Sequence, residues 1–407
     1  MSNIKYMRGN QAAAESARLA RIEFMGAYPI PPSAEIMESI RTFIDNGQLK
    51  AGFIEADGEK SAEIACFAAV CSGCRTFNAT SSQGLLYMSE TLAMIAGSRM
   101  PMVMVVGNRS VFAPHGMLCD QTDSLSQRDT GWLQLYCETV QEVLDTIIQG
   151  YKIVENPAVK LPMMICEDGY LLTHSLERVT VPTQEVVDVF LPPYQPSLKD
   201  YIAPGGLSMF TSFGVMDNWF SEFRYQQWVA EANALKIIED ADAEFAKHFG
   251  RSYGGLLDSY MVDDAEVIIV GMGSVMGTTR HTVDIMRSAG KKVGMVKIRA
   301  FRPFPKDKLA AVVAASSAKI IVVVEKTHFG ALFDEVRSAL YDLDNRPGIF
   351  GFGVGLNGRD VSPYNIIDLF EQGFKSIGKG SLPKRSQLYF IRKKELSGLE
   401  VGNAKKI

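Results

Sequence analysis

Short runs of strand length alternate with amphipathic helical stretches through the first 170 residues, and this alternation constrains the chain more than any other feature. Residues 23–27, 52–56, 76–79, 102–106 and 162–166 have strand length. The run at 102–106 (Met-Val-Met-Val-Val) is unbroken apolar, so its strand must be covered on both faces. Between the strands, residues 9–21, 34–44, 58–72, 83–96 and 141–154 carry the helical period, with Pro31 and Pro32 in the turn before a Ser33 N-cap and a capping turn at Thr80, Ser81 and Ser82. Such a pattern builds an α/β domain with a mainly parallel sheet and helices on both faces. Its ligands are then expected at loops beyond the carboxyl ends of the strands, here 28–33, 57–60, 80–84 and 107–119.

The pattern breaks near residue 184. Leu191-Pro-Pro-Tyr-Gln-Pro196 and Pro204-Gly-Gly206 read as a stiff linker, and 218–249 as one long amphipathic helix. A second α/β series follows, with strands at 266–270, 292–298 and 319–325 and helices at 277–289, 306–317 and 332–343. The expected organisation is a first α/β domain over 1–190, linker and long helix over 191–258, a second α/β domain over 259–375, and a basic tail over 376–407.

Composition narrows the function. The chain has 42 Lys+Arg against 46 Asp+Glu, a net charge of −4, and so no global field for nucleic acid. Residues 85–106, the most apolar stretch, are interrupted by Glu90, Arg99 and Pro101, and no secretory h-region opens the chain, so no membrane association is expected and the location is expected to be cytoplasmic. The basic tail reads as a solvated or subunit-binding arm. The six cysteines suit a reducing compartment. Cys71-Ser-Gly-Cys74 is the only C-x-x-C, and one pair cannot supply the roughly four ligands that zinc or an iron–sulfur cluster needs. No metal site is therefore expected on this chain. His174, His248, His281 and His328 form no metal spacing, and His115, which could shuttle a proton, reads as an incidental loop histidine.

Gly271-Met-Gly273-Ser-Val-Met-Gly277, after a strand, imitates a dinucleotide turn. Met276 occupies the third glycine position, and the next strand ends in Lys297-Ile-Arg299 without a carboxylate for a ribose hydroxyl. The turn is expected to be a tight strand–helix connection.

Specific motifs lie between residues 9 and 140: Gly9-Asn-Gln-Ala-Ala-Ala-Glu15, Ala27-Tyr-Pro-Ile-Pro-Pro-Ser33, Asp57-Gly-Glu-Lys-Ser-Ala62, Thr80-Ser-Ser-Gln-Gly-Leu85, Val106-Gly-Asn-Arg109 and Arg128-Asp-Thr-Gly-Trp132. The second half adds Lys297-Ile-Arg-Ala-Phe-Arg-Pro-Phe-Pro305 and Gly358-Arg-Asp-Val361. In this order they resemble the alpha subunit of the 2-oxoacid:ferredoxin oxidoreductases, the pyruvate synthase family, over residues 8–375. The resemblance implies a thiamine pyrimidine-binding domain followed by a transketolase C-terminal-like domain. It also implies oxidative decarboxylation of a 2-oxo acid, with acyl transfer to coenzyme A and electrons passed to iron–sulfur clusters. Thiamine enzymes hold the diphosphate through Mg²⁺ with a Gly-Asp-Gly…Asn segment. Glu167-Asp-Gly-Tyr170 is the nearest approach and lacks the first glycine, so a partner is expected to supply that half. The implied partners are a beta-type thiamine and iron–sulfur subunit, a gamma-type subunit and a ferredoxin-like cluster subunit, with the clusters on partners only.

By resemblance, Glu59 is the carboxyl group that hydrogen-bonds the pyrimidine N1′ and drives the tautomer that activates thiamine, an electrostatic role. Tyr28 and Pro29 join it on the cofactor side. Arg109, ending a strand in a ligand loop, suits bidentate binding of the carboxylate that every 2-oxo acid carries. Pro31, Ser110 and Phe112 fall on the substrate side. Pyruvate enzymes carry Thr where this chain has Pro31, and oxalate-cleaving members a cation. Loss of that donor, together with Phe112 in the following loop, suggests an aryl or bulky 2-oxo acid such as phenylglyoxylate, with pyruvate as the family default. A catalytically idle scaffold and a self-sufficient transketolase-like enzyme are the competing readings.

Overall fold

The computed structural model describes residues 3–112, 115–196, 219–379, 381–389 and 391. The expected linker segment Pro204-Gly-Gly206 and most of the basic tail lie outside these residues.

The first half runs β1 (Asn3–Met7), α1 (Gly9–Leu19), β2 (Phe24–Ala27), α2 (Ala34–Asp45), β3 (Gly52–Glu55), α3 (Glu59–Cys71), β4 (Thr76–Thr80), α4 (Ser82–Tyr87), α5 (Ser89–Gly97), β5 (Val103–Asn108), α6 (Thr122–Ser126), β6 (Leu133–Tyr136), α7 (Val140–Val154), β7 (Met163–Asp168), β8 (Glu177–Val181) and α8 (Gln184–Phe190). The second half runs α9 (Phe220–Phe249), β9 (Leu257–Tyr260), β10 (Val267–Gly271), α10 (Val275–Ser288), β11 (Val293–Ile298), β12 (Ala300–Arg302), α11 (Lys306–Ala315), β13 (Ile320–Glu325), α12 (Ala331–Ala339), β14 (Gly348–Gly353), α13 (Pro363–Ser376) and β15 (Gln387–Leu388). The fold is α/β with two mainly parallel sheets. The first has the order β12-β6-β7-β5-β4-β2-β3 and the second β15-β14-β13-β10-β11-β9. Each sheet has one antiparallel edge strand, β12 and β9 respectively.

Strands β4, β5 and β7 are buried along their whole length, as the apolar runs of β5 and β7 require. They lie at the centre of the first sheet, so their carboxyl ends at Thr80, Asn108 and Asp168 stand side by side. Residues 83–96, expected as one helix, form two, α4 and α5, divided at Met88. Ser33 precedes α2 without capping it: its hydroxyl donates to the Ile30 carbonyl at 3.0 Å, which tightens the proline turn instead. Strand β6 was not anticipated, because Trp132-Leu-Gln-Leu-Tyr136 is too short to stand out without its neighbours. The same holds for β12, which crosses from the second half of the chain to pair with β6.

Buried charge ties the halves together. Lys326, after β13, is 2.7 Å from Asp168 at the end of β7, and both are buried. Gln121 donates to the same carboxylate at 2.9 Å, and Ser274 donates through both its backbone N–H and its hydroxyl. Asp168 thus occupies the amino end of α10, where a dinucleotide would place a phosphate. Gly273 needs its left-handed φ of 73°, and a side chain there would overlap Gln121 and crowd Asp168. The glycine turn is a domain contact. A second tie joins Lys297 to Glu142 of α7 at 2.7 Å and Arg299 to the same carboxylate at 3.2 Å. Arg299 is fully buried and also donates to Thr146 and Gln149, so it is not available to a cofactor phosphate.

Removing one partner of a buried pair leaves the other charge uncompensated. Lys326→Met should cost about 3–5 kcal/mol, and Lys326→Met with Asp168→Asn should cost less than the single change. Chemical denaturation of the three proteins checks this order.

Candidate active site

Four connections converge at the carboxyl ends of the first sheet, and each was expected to carry ligand-binding residues. The turn after β2 contains Tyr28, Pro29 and Pro31. Tyr28 is half-buried, while Pro29 and Pro31 are exposed. Two side chains hold this turn. The Asn10 amide donates to the Pro32 carbonyl at 2.7 Å, and the Arg109 guanidinium donates to the Pro31 carbonyl at 2.6 Å. Gln11 reaches Glu35 of α2 at 3.1 Å. The Gly-Asn-Gln start of α1 therefore fixes the proline turn.

Glu59 is the first residue of α3 and half-buried. Its carboxylate lies against Gly84: a Cβ at that glycine would come 2.7 Å from both Glu59 Oε1 and Thr80 Oγ1. Only glycine fits there. Thr80 Oγ1 is buried and has no hydrogen-bond partner among the described residues. A carboxylate and an unsatisfied hydroxyl thus meet over a residue without a side chain.

Arg109 follows β5 and is buried. Besides the Pro31 carbonyl, its guanidinium donates to Gln83 Oε1 at 2.7 Å, and Nε has no partner among the described residues. Arginine carries five N–H donors, so the protein leaves some for a ligand. The backbone N–H groups of Arg109 and Ser82 both donate to Asp123 Oδ2, at 3.0 and 2.9 Å. Asn108 donates to Oδ1 at 2.7 Å. Burial pushes the Asp123 carboxyl up to about 7, and the surrounding N–H groups work against that rise.

Ser110 is buried; its hydroxyl donates to Asn357 Oδ1 at 3.2 Å, and its carbonyl accepts from Ser82 at 2.8 Å. Phe112 is 62% exposed, its ring centroid 5.0 Å from that of His115, so it does not pack inward in this chain.

Pro31, Arg109, Gln83, Gly84 and Glu59 thus form one connected surface, with Ser110 next to Arg109. Gln83, Asp123 and Asn357 escaped the sequence reading as functional residues. Gln83 lies in the Thr80–Leu85 motif, where nothing local marks it as a partner of Arg109. Asp123 and Asn357 had no local signal, because their partners are distant in sequence.

The residues fit one end of thiamine diphosphate and not the other. Glu59 with Thr80 and Gly84 suits a heteroaromatic ring that carries donors. Asp168 is no candidate for Mg²⁺: Lys326, Ser274 and Gln121 hold it, and despite burial their combined effect keeps its pKa below the usual carboxylate value. Glu167 faces the other side of β7, fully buried, with neither carboxylate oxygen hydrogen-bonded among the described residues. Burial, reinforced by Asp168 and Glu35, raises it to about 8.

Since the folded-state value for Glu167 lies above the ordinary 4.5, its contribution to stability is full below about 4.5 and is lost as pH rises toward about 8. Glu167→Gln should therefore raise Tm at pH 8 and make little difference near pH 4.5. Thermal unfolding across that range is the measurement.

Comparison with known proteins shows the family. Residues 15–243 match the family described as pyruvate flavodoxin/ferredoxin oxidoreductase, thiamine diphosphate-binding, and residues 265–366 match pyruvate:ferredoxin oxidoreductase core domain II. The chain is 40% identical to the pyruvate synthase subunit PorA of Methanosarcina barkeri, over 96% of this chain and 97% of that one. It is 41% identical to the ketoisovalerate oxidoreductase subunit VorA of Pyrococcus horikoshii, over 96% and 98%. In fold it resembles the 2-oxoglutarate:ferredoxin oxidoreductase of Magnetococcus marinus, solved with 2-oxoglutarate, coenzyme A and succinyl-CoA bound, with a TM-score of 0.72 at 20% identity. That match covers 91% of this chain and 65% of that longer one. A split-gene transketolase, an inactive tetramer, matches with a TM-score of 0.50 at 9% identity, covering 90% of this chain and 98% of that one. By the breadth of these matches, this chain is an alpha-type subunit of the 2-oxoacid:ferredoxin oxidoreductase family.

Proposed function

We propose that this chain supplies the pyrimidine-side half of the active site in a complex that converts a 2-oxo acid and coenzyme A to acyl-CoA and CO₂, passing two electrons to an acceptor. One observation carries the reading. The start of α4 at Gln83–Gly84 joins both halves of the chemistry, since Gly84 lies under the Glu59 carboxylate and Gln83 accepts from Arg109. Glu59, with Tyr28 and Pro29 beside it, holds the pyrimidine of thiamine diphosphate through a hydrogen bond to the ring. Bound there, the cofactor supplies the electron sink for cleavage of the bond to the carboxylate carbon. Arg109 binds and orients that carboxylate, already held in place by the Pro31 carbonyl and Gln83. Ser110 lies on the same substrate-facing segment.

A beta-type subunit brings the diphosphate and Mg²⁺ segment together with iron–sulfur clusters, and gamma-type and ferredoxin-like subunits complete the complex. The surface beside Glu59 supports such docking. Lys60 of α3 and Glu90 of α5 are paired at 2.5 Å. One helical turn beyond them, Ile64 and Met94 are exposed, as are Tyr87 and Ile54 nearby. No helix among the described residues is long and apolar enough to cross a membrane.

The substrate is a 2-oxo acid with a bulky apolar side chain, aryl or branched. Pro31 offers no hydroxyl beside Arg109, and Phe112 presents its ring on the same connection. Pyruvate is the second reading, favoured by the relatives named as pyruvate synthases.

Glu59→Gln should leave assembly intact and slow turnover by about 100-fold or more, with exchange of the cofactor's reactive proton slowed in parallel. Unchanged exchange would reduce Glu59 to a helix-end carboxylate. Arg109→Ala should lower kcat/KM about 100-fold for every 2-oxo acid, because hydrogen bonds to a charged carboxylate are each worth roughly 1.5–3 kcal/mol. In the wild-type complex, kcat/KM should be larger for phenylglyoxylate or 2-oxoisovalerate than for pyruvate, and Phe112→Ala should raise KM for the bulky acid alone. A preference for pyruvate that is insensitive to Phe112 would favour the second reading.

A further inference from the structure

We propose that Asn357, on the second α/β half, is a positioning residue for substrate binding: it fixes the Ser110 segment next to Arg109. The inference rests on the reading that the 2-oxo acid carboxylate binds at Arg109.

Asn357 lies in a turn at Leu356–Gly358, 239 residues from its partner Leu118. Its Oδ1 accepts two hydrogen bonds from the segment that follows Arg109: the Ser110 hydroxyl at 3.2 Å and the Leu118 backbone N–H at 3.0 Å. The backbone beside it takes part as well, since the Gly358 N–H donates to the Cys119 carbonyl at 2.8 Å. Ser110 and Leu118 also pair directly, Ser110 N–H to Leu118 carbonyl at 3.0 Å, so one side-chain oxygen joins both strands of that connection.

The fit is tight from both sides. A Cβ at Gly116 would overlap both the Ser110 hydroxyl and Asn357 Oδ1, and one at Gly358 would overlap Leu118. Gly358 has a φ of 70°, and Asn357 itself is left-handed at φ 49° and ψ 46°. Asparagine is among the few residues with a side chain that tolerate this conformation. Further along the same segment, Gln121 N–H donates to the Lys326 carbonyl at 2.8 Å.

Neither the substrate nor the cofactor has to touch Asn357 for it to matter. Arg109 is anchored from behind by Asp123, whereas Ser110 is aimed by Asn357 on one side and by Ser82 on the other. Without the Asn357 acceptor, the Ser110 hydroxyl loses the one partner it donates to among the described residues, and the segment loses one of its links to the second half. Substrate binding should then weaken more than the chemical step, because Glu59 and the cofactor side are untouched.

The test uses the complex purified with its native partners and whichever of pyruvate, 2-oxoisovalerate and phenylglyoxylate has the largest kcat/KM. Asn357→Gly removes the acceptor yet suits the left-handed backbone, so the turn keeps its shape. KM for the 2-oxo acid should rise about ten-fold, the scale of losing two neutral hydrogen bonds. The kcat should stay within about two-fold of wild type, and Tm should fall by no more than a few degrees. Asn357→Asp keeps the acceptor and should restore the wild-type KM. An unchanged KM in Asn357→Gly overturns the proposal, and so does a parallel fall in kcat, Tm and affinity that Asn357→Asp does not rescue. Arg109→Lys separates the two levels. If it leaves KM unchanged, the carboxylate reading itself fails. If it raises KM while Asn357→Gly does not, only the role of Asn357 fails.

Discussion

The buried Asp168–Lys326 pair is the interaction on which the arrangement of this chain depends. It stands where the carboxyl end of the first sheet meets the second, and it brings Gln121 and Ser274 to one carboxylate. Two charges out of water are tolerated because each has its counter-ion and the remaining lone pairs are met by donors. Lys326 keeps its charge for the same reason: burial pulls its pKa down, and the Asp168 charge more than restores it. The pair costs the chain an acid at the one place where its sequence comes near a magnesium-binding segment. Asp168 is therefore not free to hold a metal ion, which is why the proposed function assigns the magnesium end of the cofactor to a partner.

The candidate site is built on the same plan, with backbone groups held by buried side chains. Asp123 gathers the N–H groups of Ser82 and Arg109, so the loops after β4 and β5 share one anchor. Asn10 and Arg109 hold successive carbonyls of the proline turn. Gly84 gives up its side chain so that Glu59 and Thr80 can approach. Each device moves ordering cost into folding, so that less remains to be lost when a ligand binds. The residues that face the ligand are few, and those that aim them are more numerous and lie deeper.

Several of these positions are legible in the sequence because they sit where strand periods end. Glu59 after Asp57-Gly58, and Arg109 after an unbroken apolar run, are at loops that a parallel sheet reserves for ligands. Pro31 and Ser110 lie on two of these loops, and their expected substrate-side roles, like that of Glu59 on the cofactor, come from the family resemblance. The supporting residues could not be read this way. Asp123 is 14 residues from Arg109 and lies on a five-residue helix with no periodic signature. Asn357 lies in another domain. Ser33 looked like a helix cap and instead bonds within its own turn, since local chemistry offered both partners and packing chose one.

Periodicity and the order of the motifs in the sequence thus determined the α/β class, the parallel sheets, the family, and the strand ends at which chemistry gathers. The class and the sheets follow from hydrophobic period, which governs strand burial and loop placement, whereas the family follows from the motifs' resemblance. Only the tertiary structure decided that the Gly271–Gly277 turn is filled by Asp168, that β12 returns to the first sheet, and that Arg299 is buried against Glu142. Those outcomes rest on contacts between groups more than 100 residues apart. No local pattern encodes such contacts, because their energy comes from desolvation and charge pairing that exist only once the two halves have met.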